Sequence, residues 1–125
     1  DDTTFDIKLA VDEAVSNIVR HGYNDNERHF IEIVLKQSDD EINITVIDDA
    51  KEFNMLDFTV VNIDQPIEER KPGGLGIFLI KETMDEIKWQ RNEGKNILSL
   101  TKKILKQENK WKSKYQKPAT IQKLN

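Results

Sequence analysis

The chain contains no cysteine, which excludes a disulfide framework and any thiolate metal site. It has no apolar run long enough to cross a bilayer and opens without a signal-peptide pattern, so no membrane partner is expected and a cytoplasmic location is. Basic residues are scarce in the body of the chain and collect at its end. From Lys102 onward eight lysines stand against one acid, Glu108, a charge of +7; against the formal total of −4, the preceding part carries −11. An acidic body of that kind argues against direct nucleic-acid binding. At 125 residues the chain is long enough for one domain with its own core. The expected division is a domain over 1–102 followed by a basic tail over 103–125.

The patterning that is present alternates between helix and strand. Residues 4–22 repeat apolar positions with a helical period, Ile7, Val11, Ala14 and Ile18, with Thr3 or Thr4 placed to cap the start and Gly22 to end it. "FIEIVLK" (30–36) and "INITVID" (42–48) alternate as half-buried strands around the turn "QSDDE", which predicts an antiparallel hairpin. Residues 51–72 have weak periodicity and run into "ERKPGG" (69–74), a long loop of the kind that is commonly functional or disordered. "LGIFLIKETMDEI" reads as a helix from near Gly76 with Ile77, Ile80, Met84 and Ile87 on its core side; "IKWQRN" and "NILSLTK" follow as strands around Glu93-Gly94. Helices on one face of an antiparallel sheet make an α+β fold, a two-layer α/β sandwich.

Three features carry chemistry. In the first helix, at roughly 100° per residue, Asp12 and Ser16 point roughly 140–180° away from the apolar stripe, whereas His21 lies about 40°, Asn17 about 80° and Glu13 about 120° from its centre. Glu13, Asn17 and His21 therefore line one border of the buried stripe, with Arg20 just outside it. A solvated helix rim would give the same pattern. In "INITVID", Asp48 is in phase with Ile42, Ile44 and Val46, so it belongs to the core face, while Asp49 meets solvent. A carboxylate there needs a donor. A backbone N–H of the next turn would serve, and so would the exocyclic amine of a base. Third, in "KPGGLGIFLI" glycines lead into a helix whose free N–H groups and dipole suit a phosphate. No Gly-Lys-Ser/Thr follows, and no strand immediately precedes, so this is neither a Walker loop nor a dinucleotide fingerprint.

"EAVSN…HGY", "VIDDAKEF" and "GGLGIFLI" follow one another in the order and spacing of the GHKL ATPase superfamily, whose members share the Bergerat ATP-binding fold. "LAVDEAVSNIVRHGY" most resembles the first motif of the anti-sigma factor serine/threonine kinases of bacterial partner switching. The resemblance covers residues 5 to about 102. It implies that Glu13 is the catalytic acid, acting as general base toward the attacking hydroxyl, and that Asn17 binds the Mg2+ that bridges the ATP phosphates. It implies that Asp48 accepts a hydrogen bond from the adenine amine and that Gly73, Gly74 and Gly76, with Leu75 between them, form the lid and the phosphate-facing helix start. Arg20 and His21 match a basic pair beside the phosphates, and Phe53 falls in the second motif. The segment 51–72 would be a lid over the nucleotide. The implied partners are an anti-anti-sigma (STAS) protein carrying the acceptor serine and a sigma factor. The wide apolar stripe of the first helix calls for a cover: a second copy of the chain, as a homodimer, is the first expectation, with the tail around Trp111 and Tyr115 or a preceding segment as the alternatives.

Two departures qualify the resemblance. Asp-x-Gly is usual where this chain has Asp48-Asp49-Ala50, so the turn has to avoid positive φ or be strained. The chain also begins almost at the motif helix, so the family's first strand and helix are expected to be lacking from it. A non-catalytic GHKL module that binds nucleotide or a partner is the alternative these departures favour. A histidine kinase ATP domain is a weaker one, since no long linker to a dimerisation helix is visible.

Overall fold

The computed structural model describes residues 2–57 and 74–104. Helix α1 spans Asp2–His21, strand β1 Glu32–Gln37, strand β2 Glu41–Asp48, helix α2 Gly74–Thr83, strand β3 Glu86–Asn92 and strand β4 Lys95–Lys103, with a 3-10 turn at Met55–Asp57. The strands form one antiparallel sheet in the order β1-β2-β4-β3. Ala10 and Ala14 of α1 and Ile77 and Ile80 of α2 pack with Ile44 and Val46 of β2 and Leu98 and Leu100 of β4, so both helices lie on one face. This is the two-layer α+β sandwich expected from the pattern. Gly73, most of the expected lid, and Trp111 with the rest of the tail beyond 104 lie outside the described residues.

Helix α1 has Asp2 in its first turn and Arg20 and His21 in its last, signs that suit its dipole. It begins ahead of Thr3 and Thr4, so neither is its cap; both sit inside the helix, and Thr3 is buried. The fully buried line is Thr3, Ala10 and Ala14, with Ile7, Val11 and Ile18 packed beside it. That line is turned by roughly 50° from the Ile7–Ile18 stripe toward the Glu13–Asn17 border. Small side chains at Ala10 and Ala14 allow the closest approach, and packing follows them rather than the bulkier residues. Ser16, expected on the solvent side, is half-buried.

Gly22 ends α1 for a steric reason. Its N–H bonds to the Ile18 carbonyl at 2.9 Å, and a Cβ there would stand 2.7 Å from both the Ile18 oxygen and the Ala50 Cβ. The Gly22 carbonyl then accepts from Lys51 N–H at 3.3 Å, which fastens the helix end to the turn after β2.

Helix α2 starts two residues earlier than Gly76 and stops at Thr83 instead of continuing through Ile87. The Asp85 N–H bonds to the Thr101 carbonyl at 2.9 Å and its carboxylate accepts from Lys103 N–H at 2.7 Å, which draws the chain into the sheet. Ile87 and Trp89 then alternate inward along β3, a period of two that the last positions of a helical stripe can imitate. The β3–β4 turn places Glu93 (φ 50°) and Gly94 (φ 77°) both in the left-handed region, as a two-residue type I′ hairpin requires.

Candidate functional site

Strands β2 and β4 pair so that Asp48 stands directly opposite Asn96, both on the helix-facing side of the sheet. Between that pair, the end of α1 and the middle of α2 lies a cavity of about 310 Å³. Its walls are apolar, with Ile18, Ile77, Ile80, Met55 and Leu98, and its polar groups converge from Asn17, Asp48 and Asn96. An apolar pocket with a few converging polar groups is the ordinary form of a small-molecule site.

Asp48 is only 4% exposed. One carboxylate oxygen, Oδ1, accepts from Ala50 N–H at 3.0 Å and from Asn96 Nδ2 at 2.9 Å. No donor among the described residues reaches the other oxygen. The buried carboxylate is thus half satisfied as an acceptor by the protein: the backbone N–H and a ligand amine, the two donors open from sequence, are compatible. Ala50 is itself buried and is not in the left-handed region; Glu93 is the only non-glycine residue with positive φ among the described residues. The Asp48-Asp49-Ala50 turn is therefore made without strain, and the Ala50 methyl fills the space over Gly22. Arg91 closes the turn by donating to the Ala50 carbonyl at 2.8 Å.

The second polar group lies at the start of α2. A Cβ on Gly76 would stand 2.5 Å from Glu13 Oε2 and 3.8 Å from Asn17 Nδ2. Only a residue without a side chain lets the first turn of α2 come against the Glu13–Asn17 border of α1. The Glu13 carboxylate, the Asn17 amide and the N-terminal end of a helix therefore meet at one place. Glycine-led N–H groups and the positive end of the dipole make that place suited to an anion.

The structure brings Asn17, His21, Asp48 and Phe53 to the cavity. Glu13, Gly74 and Gly76 do not line it; Glu13 stands against Gly76 at the start of α2, next to Asn17. His21 and Phe53 sit at the mouth and are exposed. Leu75 is 46% exposed, and Arg20 is exposed and does not line the cavity. Asn96, Trp89, Lys51 and Met55 line it as well and were not singled out from sequence. For Asn96 a signal existed: it is in phase with Leu98 and Leu100 in "NILSL", the same argument that marks Asp48.

A polar cluster buttresses the outer side of the turn. The Tyr23 and His29 rings stack at 3.8 Å between centroids. Tyr23 OH donates to Asp49 Oδ1 at 2.7 Å, His29 Nε2 bonds Asp25 Oδ1 at 2.7 Å, and His29 Nδ1 lies 3.5 Å from Asp49. The Asp25 hydrogen bond raises the His29 pKa above 6.5, and the same bond lowers that of Asp25. The Tyr23 hydroxyl lowers that of Asp49, and burial first, then Asp49, raises that of Tyr23. A raised imidazole pKa adds stability that is complete below 6.5 and is lost as pH rises through the folded value. The lowered carboxylates add stability that is lost only as pH falls below 3.8. The urea midpoint is therefore expected to fall on going from mildly acidic to mildly alkaline buffer, and to fall less in His29→Gln. Parallel pH profiles for the two proteins would rule the cluster out as the cause.

A family model described as histidine kinase-like ATPase domain matches residues 1–102. The chain belongs to that family. Among curated relatives of this ATPase-domain chain, it is 35% identical over 107 residues to the serine-protein kinase RsbW of Oceanobacillus iheyensis, covering 82% of this chain and 67% of that one. The match to the RsbW of Staphylococcus aureus is 37% over 109 residues, with 82% and 67% covered. The match to that of Bacillus velezensis is 31% over 93 residues, with 71% and 58% covered. The matched region thus spans 58% to 67% of these relatives' lengths. The four-stranded antiparallel sheet with both helices on one face is the arrangement expected of the ATPase family.

Proposed function

We propose that this chain is an ATP-dependent protein-serine kinase that acts as an anti-sigma factor. The observation that carries the reading is the cavity itself. It holds a half-satisfied acceptor, Asp48, and is lined by Asn17, beside which a carboxylate, Glu13, stands against a glycine-opened helix N-terminus. Asp48 Oδ2 accepts from the adenine amine, Ile77 and Met55 flank the ring, and the N–H groups at Gly74–Gly76 hold the phosphates. Glu13 accepts the proton of an attacking serine hydroxyl. Phosphoryl transfer asks for little more than such positioning and charge stabilisation. The names of the relatives as serine-protein kinases support this reading, and the unstrained Ala50 turn removes the main ground for a non-catalytic module.

Magnesium fits the donor set. It prefers oxygen ligands; the Glu13 carboxylate stands against Gly76, and Asn17, whose Nδ2 faces Gly76 in this structure, would offer its carbonyl oxygen with the amide turned over. Bound there, the ion would neutralise phosphate charge.

The acceptor in this reading is a serine of a STAS-type anti-anti-sigma partner, and the second partner is a sigma factor, with the work done in the cytoplasm. No helix among the described residues is long and apolar enough to cross a membrane. The chain works as a homodimer. Support comes from Phe5 (66% exposed) and Val19 (63%) on α1 and Leu35 (62%) on β1, which pairs with Ile44 and so shares the core-facing side of the sheet. Sedimentation is expected to show a concentration-dependent dimer that Leu35→Lys weakens; a monomer at every concentration would contradict it. The kinase reading is tested by incubating the chain with ATP, Mg2+ and a STAS partner. Mass spectrometry is expected to find one phosphoserine on the partner, and its absence with every partner tried would contradict the reading.

A further inference from the structure

Asn96 is 5% exposed and uses all of its hydrogen-bonding capacity on the protein. Its Nδ2 donates to Asp48 Oδ1 at 2.9 Å and to the Lys51 carbonyl at 2.9 Å. Its Oδ1 accepts from Phe53 N–H at 3.1 Å and from Trp89 Nε1 at 3.3 Å. Acceptors lie on one side of the amide and donors on the other, so only one amide orientation satisfies all four partners. Two consequences follow. Asp48 is held through Oδ1 by Ala50 N–H and Asn96, which leaves Oδ2 as the one atom offered to a ligand. Asn96 has no donor left for a ligand, so the floor of the cavity presents an acceptor alone.

From this geometry we infer that Asn96 is the positioning residue for base selectivity. It aims Asp48 at an exocyclic amine, excludes a carbonyl at the same position, and ties the base to the backbone at Lys51–Phe53. The inference rests on Asp48 being the base acceptor. A base bearing oxygen in place of the amine would set two acceptors against each other with no proton between them, a mismatch that is costly in a buried site. A base that donates to Oδ2 stiffens the carboxylate, the Asn96 amide and, through it, the Phe53 N–H.

The test compares ATP with inosine triphosphate, which carries a carbonyl where adenine has its amine. Calorimetry on the wild-type chain is expected to favour ATP by at least about tenfold; no preference would mean that Asp48 does not read the base, whatever Asn96 does. In Asn96→Ala the preference is expected to shrink by about tenfold, the equivalent of one neutral hydrogen bond. Equal loss of both affinities, with the preference intact, would show a merely structural role and overturn the inference. A readout on the wild-type chain stands independent of how the variant folds. ATP is expected to slow hydrogen exchange at both Ala50 and Phe53 N–H, and inosine triphosphate at neither. Slowing at Ala50 alone would overturn the coupling.

Discussion

Glu13→Gln is expected to bind ATP as the parent chain does and to lose phosphoryl transfer by about 10²–10⁴-fold, the usual contribution of a positioned general base. The substitution keeps the size of the side chain. It therefore keeps the contact against the first turn of α2, where the missing Gly76 side chain makes room for Glu13 Oε2. What it removes is the ability to take a proton from a hydroxyl. Neutralising the carboxylate also removes a negative charge from beside the phosphates, so nucleotide affinity is expected to hold or rise. Single-turnover transfer to the partner serine, measured beside an ATP titration, separates the two effects. A normal transfer rate in Glu13→Gln would remove Glu13 from the chemistry and leave it as packing at the α1–α2 contact.

Asp48→Asn is expected to lower ATP affinity by about 1.5–3 kcal/mol, roughly ten- to hundredfold, the range for a hydrogen bond to a charged group. The protein decides how the new amide sits. Ala50 N–H and Asn96 Nδ2 both donate to the position of Oδ1, so the carbonyl oxygen of an asparagine is drawn there and its NH2 faces the cavity. A donor then meets the donor of the adenine amine. The same arrangement suits a base carrying a carbonyl, so inosine triphosphate is expected to lose less than ATP, or to gain. Titration of both nucleotides into both proteins checks this, and unchanged ATP affinity would place the base elsewhere.

The two ends of this site differed in how far they could be read from sequence. Asp48 was legible because a strand has a period of two, and a carboxylate in step with Ile44 and Val46 has nowhere to go but the core face. The border position of Glu13 and Asn17 was legible from helical phase, although the phase was off by the turn that Ala10 and Ala14 allow. The meeting of that border with Gly76 was not. It depends on how close two helices come, and glycine spacing alone does not state which side chain the missing Cβ makes room for. The end of α2 is not legible from sequence because Ile77, Ile80, Met84 and Ile87 satisfy a helical period, while the Asp85 bonds to Thr101 and Lys103 that break the helix are long-range. Ala50 is the instructive case. From sequence it was a fault in a glycine motif; in the structure its methyl packs where Gly22 has none, so the two positions share one volume.

The most direct measurement of the central claim is a crystal structure of the chain with an adenine nucleotide and magnesium. The account predicts the adenine amine within hydrogen-bond distance of Asp48 Oδ2, the phosphates against the N–H groups at Gly74–Gly76, and the ion on the Asn17 carbonyl oxygen. A nucleotide bound outside the cavity, or seated in it with its amine turned away from Asp48, would contradict it.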